Sequence, residues 1–560
     1  MINYLTEIVN EASISLGYGK KLRVIVSNRP ELCDYQCDGA FMLAKEYEKS
    51  PIEIGEEIVK EINNRKEFND LFKEVTFVKP GFINMILSDK LINSFIEKMN
   101  KEEKFGTRLD KRKTFILDYG GPNVAKPLHV GHVRTAIVGE SIKRIINYVG
   151  HKTISDVHLG DYGLQIGQVI YGLEKEGIAK ENITIESLED IYPKMSILCK
   201  EDETVKEECA LITKRLQDGD KGLKEIFDII LETSKKDIKR LYDYLGVSFD
   251  LWYGESDAYK YIEGVATLLK SYIKISEGAE IIEAKDESEK ELPPLIFKKS
   301  NGAYLYGTTD LATIFQRMKD FSPDNILYIV DNRQQLHFKQ VFAVSKKSNL
   351  TKETKLEFLG YGTVNGIDGK PYKTRSGDTP KLDDLFKQIK EIFISKREEN
   401  KNLDDSDINI LVNAILKFAD LQNTRDKDYI FDIAKFGDVQ GKTGPYILYT
   451  YLRNKKIIKN ELLKNELSNK IYSESDRNLR LKLLELETAI KNAFEERKPH
   501  YIADYIYNLA VLSNTFYQNN HINGLKDETK KASLIYIMNL TNEVIKEMLK
   551  LIIIDIPKTM

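Results

Sequence analysis

Beyond residue 113 the chain alternates short apolar runs that end in glycine with longer stretches of helical character. "TFILDYG" (114–120) is one such run. After it come a glycine- and proline-rich turn, the helix-like "HVRTAIVGESIKRIINYVG" (132–150) and a second short run, "KTISDVHLGDYG" (152–163). Strand, glycine turn, helix and strand in that order predict a βαβ unit of a doubly wound parallel sheet. "ILYIV" (326–330) and "KLEFLGYGTV" (355–364) supply strands for the second half of that sheet. Between the halves lie helical stretches such as "SKKDIKRLYDYLGVSFD", and a charged segment, 277–294, that reads as a solvated hairpin.

The ends of the chain differ from this middle. In residues 1–110, amphipathic segments alternate with strand-like runs, "LRVIVS" and "VTFVKPGFINMIL". The charged stretch "NKEEKFGTRLDKRK" closes that unit as a linker. From about 405 the pattern is helical. Ile502, Tyr505, Ile506, Leu509, Leu512 and Phe516 recur at the three- and four-residue spacing of one helix face.

Composition narrows the class. A chain of 560 residues is too long for one core and predicts several domains. The longest apolar run near the C-terminus, "LKLIIIDI", is broken by Asp555, and no run reaches the roughly 20 residues of a membrane span. The first residues include acidic positions and no basic leader, so no signal peptide is expected. Four cysteines give no disulfide framework and fit a reducing, cytoplasmic setting. Cys33 and Cys37 have no second ligand pair nearby, so no metal is expected there. A net charge of −3 and a pI near 6.3 do not point to nucleic acid. They do not exclude it, because binding follows local basic surface.

Histidine is scarce, yet two of the seven, His129 and His132, flank Gly131 just after the turn. A helix beginning near His129 would put both on one face, one turn apart. Its N-terminus offers free N–H groups and the positive end of a dipole, which suits phosphate. Gly131 lets a flat ligand approach the backbone, and Lys126 adds a positive charge. Such a group would stabilise the α-phosphate of ATP as a carboxylate attacks it. Half a zinc site, or two structural histidines on an ordinary helix, are the competing readings.

At this point the text becomes recognisable. "HVGH" resembles the HIGH signature of class I aminoacyl-tRNA synthetases, and "PNVAKPLHVGHVR" resembles the arginyl-tRNA synthetase family in particular. "CDYQCDGAFMLAK" and "VKPGFINMILS" are similar to that family's additional N-terminal domain. "LGDYGLQIGQVI", "LGVSFDLWYGES" and "VDNRQQLHFKQVF" are similar to its catalytic core. "TGPYILYTYLR", "KPHYIADYIYNLA" and "IPKTM" are similar to its anticodon-binding domain.

The resemblance implies an α/β multidomain protein. An α+β N-terminal domain (1–110) would contact the tRNA elbow. A Rossmann-like, doubly wound catalytic domain with insertions (111–400) would follow, then an all-helical anticodon-binding domain (401–560). It implies ATP-dependent activation of arginine and transfer to tRNA(Arg) by a cytoplasmic monomer with no membrane attachment. Magnesium would accompany ATP, and bound tRNA would be needed for activation. A KMSKS-like loop falls at 369–386, where "KTRSG" replaces the usual pattern; Gly369 and Gly377 would let it move.

Residue by residue, the resemblance assigns catalysis to Lys126, His129, His132 and Lys373, with Lys126 compensating for the altered loop. ATP would meet Pro122, His129, Gly131, His132, Lys373 and Arg375. Arginine would meet Asp118, Asn123, His129, Tyr306, Asp310 and Gln334, with Gln335 leaving the register open by one. A carboxylate and an aromatic ring suit its planar cation. Asp118 stands where many relatives carry glutamate. His158, Asp161 and Gln165 would line the same cavity. For tRNA, Arg453, Lys455 and Lys456 offer backbone contacts, while Tyr446, Tyr449 and Tyr451 at helical spacing fit a core better than base platforms. Leu448 replaces a glutamine found in many relatives. Rival readings are another enzyme with the same signature and a tRNA-binding paralogue without catalysis.

Overall fold

A computed structural model describes residues 1–107, 111–372, 381–395, 403–459 and 466–560. At its centre is a four-stranded parallel sheet, in spatial order Lys355–Phe358, Asn325–Tyr328, Thr114–Asp118 and Lys152–Asp156. The register sets Asp118 beside Asp156 on one side and Tyr328 on the other, so three strands end level. The chain leaves Thr114–Asp118 in one direction to reach Lys152–Asp156 and returns later on the opposite side to lay down Asn325–Tyr328. The gap between those two departures is the switch point where open α/β sheets bind ligands.

The helix Val130–Tyr148 crosses from the first strand to the second and buries 15 of its 19 residues. A helix buried nearly all round must have neighbours on several sides. It packs against the helix Asp405–Leu421 and against the last helix, Glu528–Leu551. Its hydrophobic side chains belong to a core that runs without a break from Met1 to Ile554. A second core lies between the other face of the sheet and a three-stranded antiparallel sheet, Ile273–Ser276, Ala279–Ile282 and Leu295–Lys298.

That small sheet refines the solvated-hairpin reading of 277–294, most of which is exposed. A tight turn at Glu277 and Gly278, both at positive φ, does make a hairpin. Ala279–Ile282 is nevertheless a central strand, and Ile282 and Ala284 are buried. The many charges of the segment, Glu280 and Glu283 beside the strand among them, hid the few apolar side chains that matter.

Residues 2–101 form four main helices beside an antiparallel sheet, in which Phe72–Val78 and Phe82–Leu87 pair as a hairpin. Cys33 and Cys37 are buried there as free thiols. Among the described residues no group of three or more His, Cys, Asp or Glu side chains could hold a metal ion. No helix among them is long and apolar enough to cross a membrane. The N-terminal region, chiefly its helix Asp89–Lys101, also docks onto the C-terminal helices. Arg477 pairs with Asp34 at 2.6 Å and Asp89 at 3.2 Å, and Arg480 donates to Asn93 at 2.6 Å.

Candidate active site

The turn after Thr114–Asp118 is held from both sides of the switch point. Gly120 sits at φ +90, and a Cβ there would come within 2.9 Å of the Phe249 ring, so glycine is required. Its N–H donates to Thr135 Oγ1 at 3.1 Å, and that hydroxyl donates to the Ile329 carbonyl at 2.8 Å. Asn123 forms a bridge with Gly160, with Val124 N–H to Gly160 O and Gly160 N–H to Pro122 O both at 3.0 Å. Gln165 closes the second loop by donating to Gly160 O at 2.7 Å. Asn123 and Gln165 therefore lie in one locked pair of loops.

His129 is the N-cap of the helix Val130–Tyr148. Its Nδ1 accepts from Gly131 N–H at 3.1 Å, while His132 Nδ1 accepts from His129 N–H at 3.2 Å. The two rings lie 4.0 Å apart. This is a capping box built from imidazoles. With Nδ1 accepting in each ring, the proton of each neutral imidazole is on Nε2, which is left as a donor. Burial and the Lys126 charge lower the His129 pKa; burial, His129 and Lys126 push His132 down to about 3. The pair is a neutral double donor at neutral pH. Gly131 has a second reason to be glycine: a Cβ there would sit 3.0 Å from the His129 ring.

Lys126 Nζ lies 4.5 Å from the Tyr192 ring centre, just before the helix start. On the other flank Leu382 N–H donates to Leu128 O at 3.0 Å, and His129 bridges Lys381. Lys373, Arg375 and Gly377 lie outside the described residues. A cavity of about 340 Å³ beside Leu128 is lined by charges that already pair with one another, Lys381 with Glu189 and Arg240 with Asp383.

Across the strand ends, Asp118 and Asp156 share one buried guanidinium, Arg317, each at 2.7 Å. Burial lifts the Asp118 pKa against that pull. Burial also opposes charge on Asp156, but His158 and Arg317 outweigh it and hold this carboxyl below its ordinary range. His158 is largely shielded from solvent too, yet Asp156, 3.7 Å from its Nδ1, and the Asp118 charge raise it to about 9. Asp118, expected at the arginine α-amino group, thus already has a cation from the protein itself. Asp161 is also engaged, accepting from Ser256 N–H at 2.9 Å and Ser256 Oγ at 2.7 Å.

Tyr306 opens the helix Tyr306–Phe321 and is 70% exposed; Asp310 follows one turn later on the same face. Asp310 Oδ2 meets His337 Nε2 at 2.5 Å. Gln334 ends a short 3-10 turn that leads into the helix bearing His337, and both Gln334 and Gln335 are exposed. Arg317 and His337 are the residues that sequence reading missed. His337 had a signal, being one of only seven histidines and inside a quoted stretch. Arg317, seven positions after Asp310 and so on a related helix face, had little.

In the C-terminal helices Lys455 and Lys456 are exposed, whereas Arg453 is half-buried against the Tyr517 ring and bonded to Asn514. Tyr451 and Leu448 are core residues. Tyr449 is exposed, and Tyr446 hydrogen-bonds Asn514 at 2.7 Å.

A parallel sheet with a histidine-capped helix at its switch point, followed by a helical bundle, fits the class I aminoacyl-tRNA synthetases that the sequence resembles. Comparison with known proteins agrees and is more specific. Residues 95–433 match the model for "tRNA synthetases class I (R), catalytic domain", 2–87 that for "Arginyl tRNA synthetase N terminal domain" and 447–560 that for "DALR anticodon binding domain". The arginine–tRNA ligase of Alkaliphilus oremlandii is 42% identical over 588 aligned positions, covering all of both chains. The Plasmodium falciparum arginyl-tRNA synthetase superposes with a TM-score of 0.84 at 25% identity, over 100% of this chain and 99% of that one. The Thermus thermophilus enzyme has the same fold, with a TM-score of 0.76 at 20% identity over the full length of both. The chain belongs to the arginyl-tRNA synthetase family.

Proposed function

We infer that the chain activates L-arginine with ATP and charges tRNA(Arg). A carboxylate oxygen of arginine attacks the α-phosphorus, the bond to pyrophosphate breaks, and arginyl-adenylate forms. A hydroxyl of the tRNA's terminal adenosine then attacks the adenylate carbonyl, AMP leaves, and the hydroxyl proton passes to solvent. The observation that carries this reading is the 42% identity, end to end, with an arginine–tRNA ligase.

In this reading His129 and His132 donate from Nε2 to the α-phosphate as it gains charge, and Lys126 supplies the full positive charge beside them. Pro122 and Gly131 leave room for the nucleotide, and the resemblance assigns Lys373 and Arg375 the charge on its pyrophosphate side. Asp310, oriented by His337, pairs with the arginine guanidinium, and Tyr306 covers it. Asn123 and Gln334 hold the amino-acid end, with Asp118 acting there as part of its Arg317 cluster. Magnesium arrives on the ATP phosphates. Lys455 and Lys456 meet the tRNA backbone beside Arg453, and residues 1–110 meet the elbow. The domain limits are 1–110, 111–400 and 401–560. A monomer is expected from the family resemblance, and the four free cysteines suit the cytoplasm.

Charging tests the reading. The chain, ATP, labelled arginine and total tRNA should give acid-precipitable label that does not form when the tRNA has been oxidised with periodate beforehand. Label from lysine in place of arginine, or from neither, would refute it.

A further inference from the structure

Resting on the arginine-activating reading above, we propose that Glu140 is a positioning residue for the arginine subsite, and that Arg144 links it to the C-terminal helices. Glu140 lies in the middle of the histidine-capped helix and is almost fully buried. Its Oε2 accepts from the Tyr119 hydroxyl at 2.9 Å, Lys143 Nζ at 2.6 Å and Ser248 N–H at 3.3 Å. Its Oε1 accepts from Arg144 Nε at 2.8 Å.

Those donors reach both carboxylate-bearing strand ends. Tyr119 is the residue after Asp118, and its ring fills the space over Gly139, where a Cβ would come within 2.2 Å of it. Lys143 also holds Ser248, and two residues on Asp250 accepts from Ser155 N–H and Oγ, both at 2.8 Å. Ser155 precedes Asp156. One carboxylate therefore fixes the turn beyond Asp118 directly and the end beside Asp156 through Ser248–Asp250. A buried charge that gathers this many donors is expensive to disturb, so it defines one arrangement.

Arg144 extends the chain of bonds outward. Its Nη1 donates to Lys550 O and its Nη2 to Gly246 O, each at 2.8 Å, while Ser141 Oγ donates to Leu551 O at 2.7 Å. Lys550 and Leu551 close the last helix of the anticodon-binding region. An unbroken hydrogen-bonded path thus joins the end of that helix, through Arg144, Glu140 and Tyr119, to the substrate turn.

The test uses the full chain and ATP–pyrophosphate exchange with tRNA present. Tyr119→Phe and Glu140→Gln should each raise the KM for arginine about tenfold, with the KM for ATP changed by less than about twofold, as expected for loss of a bond to a buried charge. The double variant should be no worse than the poorer single one, because the two act as a unit. Arg144→Gln should raise the same KM by a smaller factor. An arginine KM unchanged in Tyr119→Phe, the mildest variant, overturns the proposal even if the melting temperature falls. Additive effects in the double variant overturn it as well. If the unsubstituted chain shows no arginine-dependent exchange, the underlying reading fails and the proposal falls with it.

Discussion

The two signature histidines cap their own helix, and this decides which nitrogen of each can face a phosphate. Spacing alone placed them on one face; the tautomer followed only once the backbone N–H partners were known. His158 behaves in the opposite way. Its pKa is raised from the ordinary 6.5 to about 9, so the charged ring stabilises the fold. A raised folded-state value means this contribution is complete below pH 6.5 and disappears as pH rises through about 9. Urea denaturation of the chain and of His158→Gln should therefore diverge below pH 6.5 and converge above about 9, by an amount on the order of 3 kcal/mol. A constant gap across that window would contradict the assignment. His129, His132 and Lys126 were legible because they are local. Arg317 was not, since its partners Asp118 and Asp156 lie 199 and 161 positions away and no spacing rule reaches that far.

Among the elements, strand, glycine turn and helix from 114 to 150 could be read before any coordinates, because apolar runs and glycines punctuate it clearly. The central strand Ala279–Ile282 could not, since Glu280 and Glu283 mask its few buried positions. Gly139 shows a different limit. Within a helical pattern a glycine looks like a weak point, but here it seats the Tyr119 ring. Gly139→Ala should gain helix propensity and still lose stability, by about 1–3 kcal/mol from overpacking. Equilibrium urea unfolding would show it as a lower midpoint at unchanged slope. A stability equal to or above that of the parent would mean that the Tyr119 ring moves aside freely.

For the molecule as a whole, the order of regions along the chain was visible, but not how they close on one another. The first residues dock on the last helices through Arg477 and Arg480, and the tail is tied back where Asp407 accepts from Lys558 and Thr559 N–H groups at 2.8 and 3.0 Å. Apolar side chains of the turn after Asp118, of the histidine-capped helix and of the C-terminal helices belong to one continuous core. In the proposed reaction this assembly makes arginyl-adenylate with neutral His129 and His132 as phosphate donors. ATP–pyrophosphate exchange across all amino acids, with and without total tRNA, tests it most directly. Exchange should appear only with arginine, and only with tRNA present, and should fall about 10²–10³-fold in His132→Ala, the usual cost of a lost transition-state donor. Exchange with a different amino acid, or undiminished exchange in His132→Ala, would contradict it.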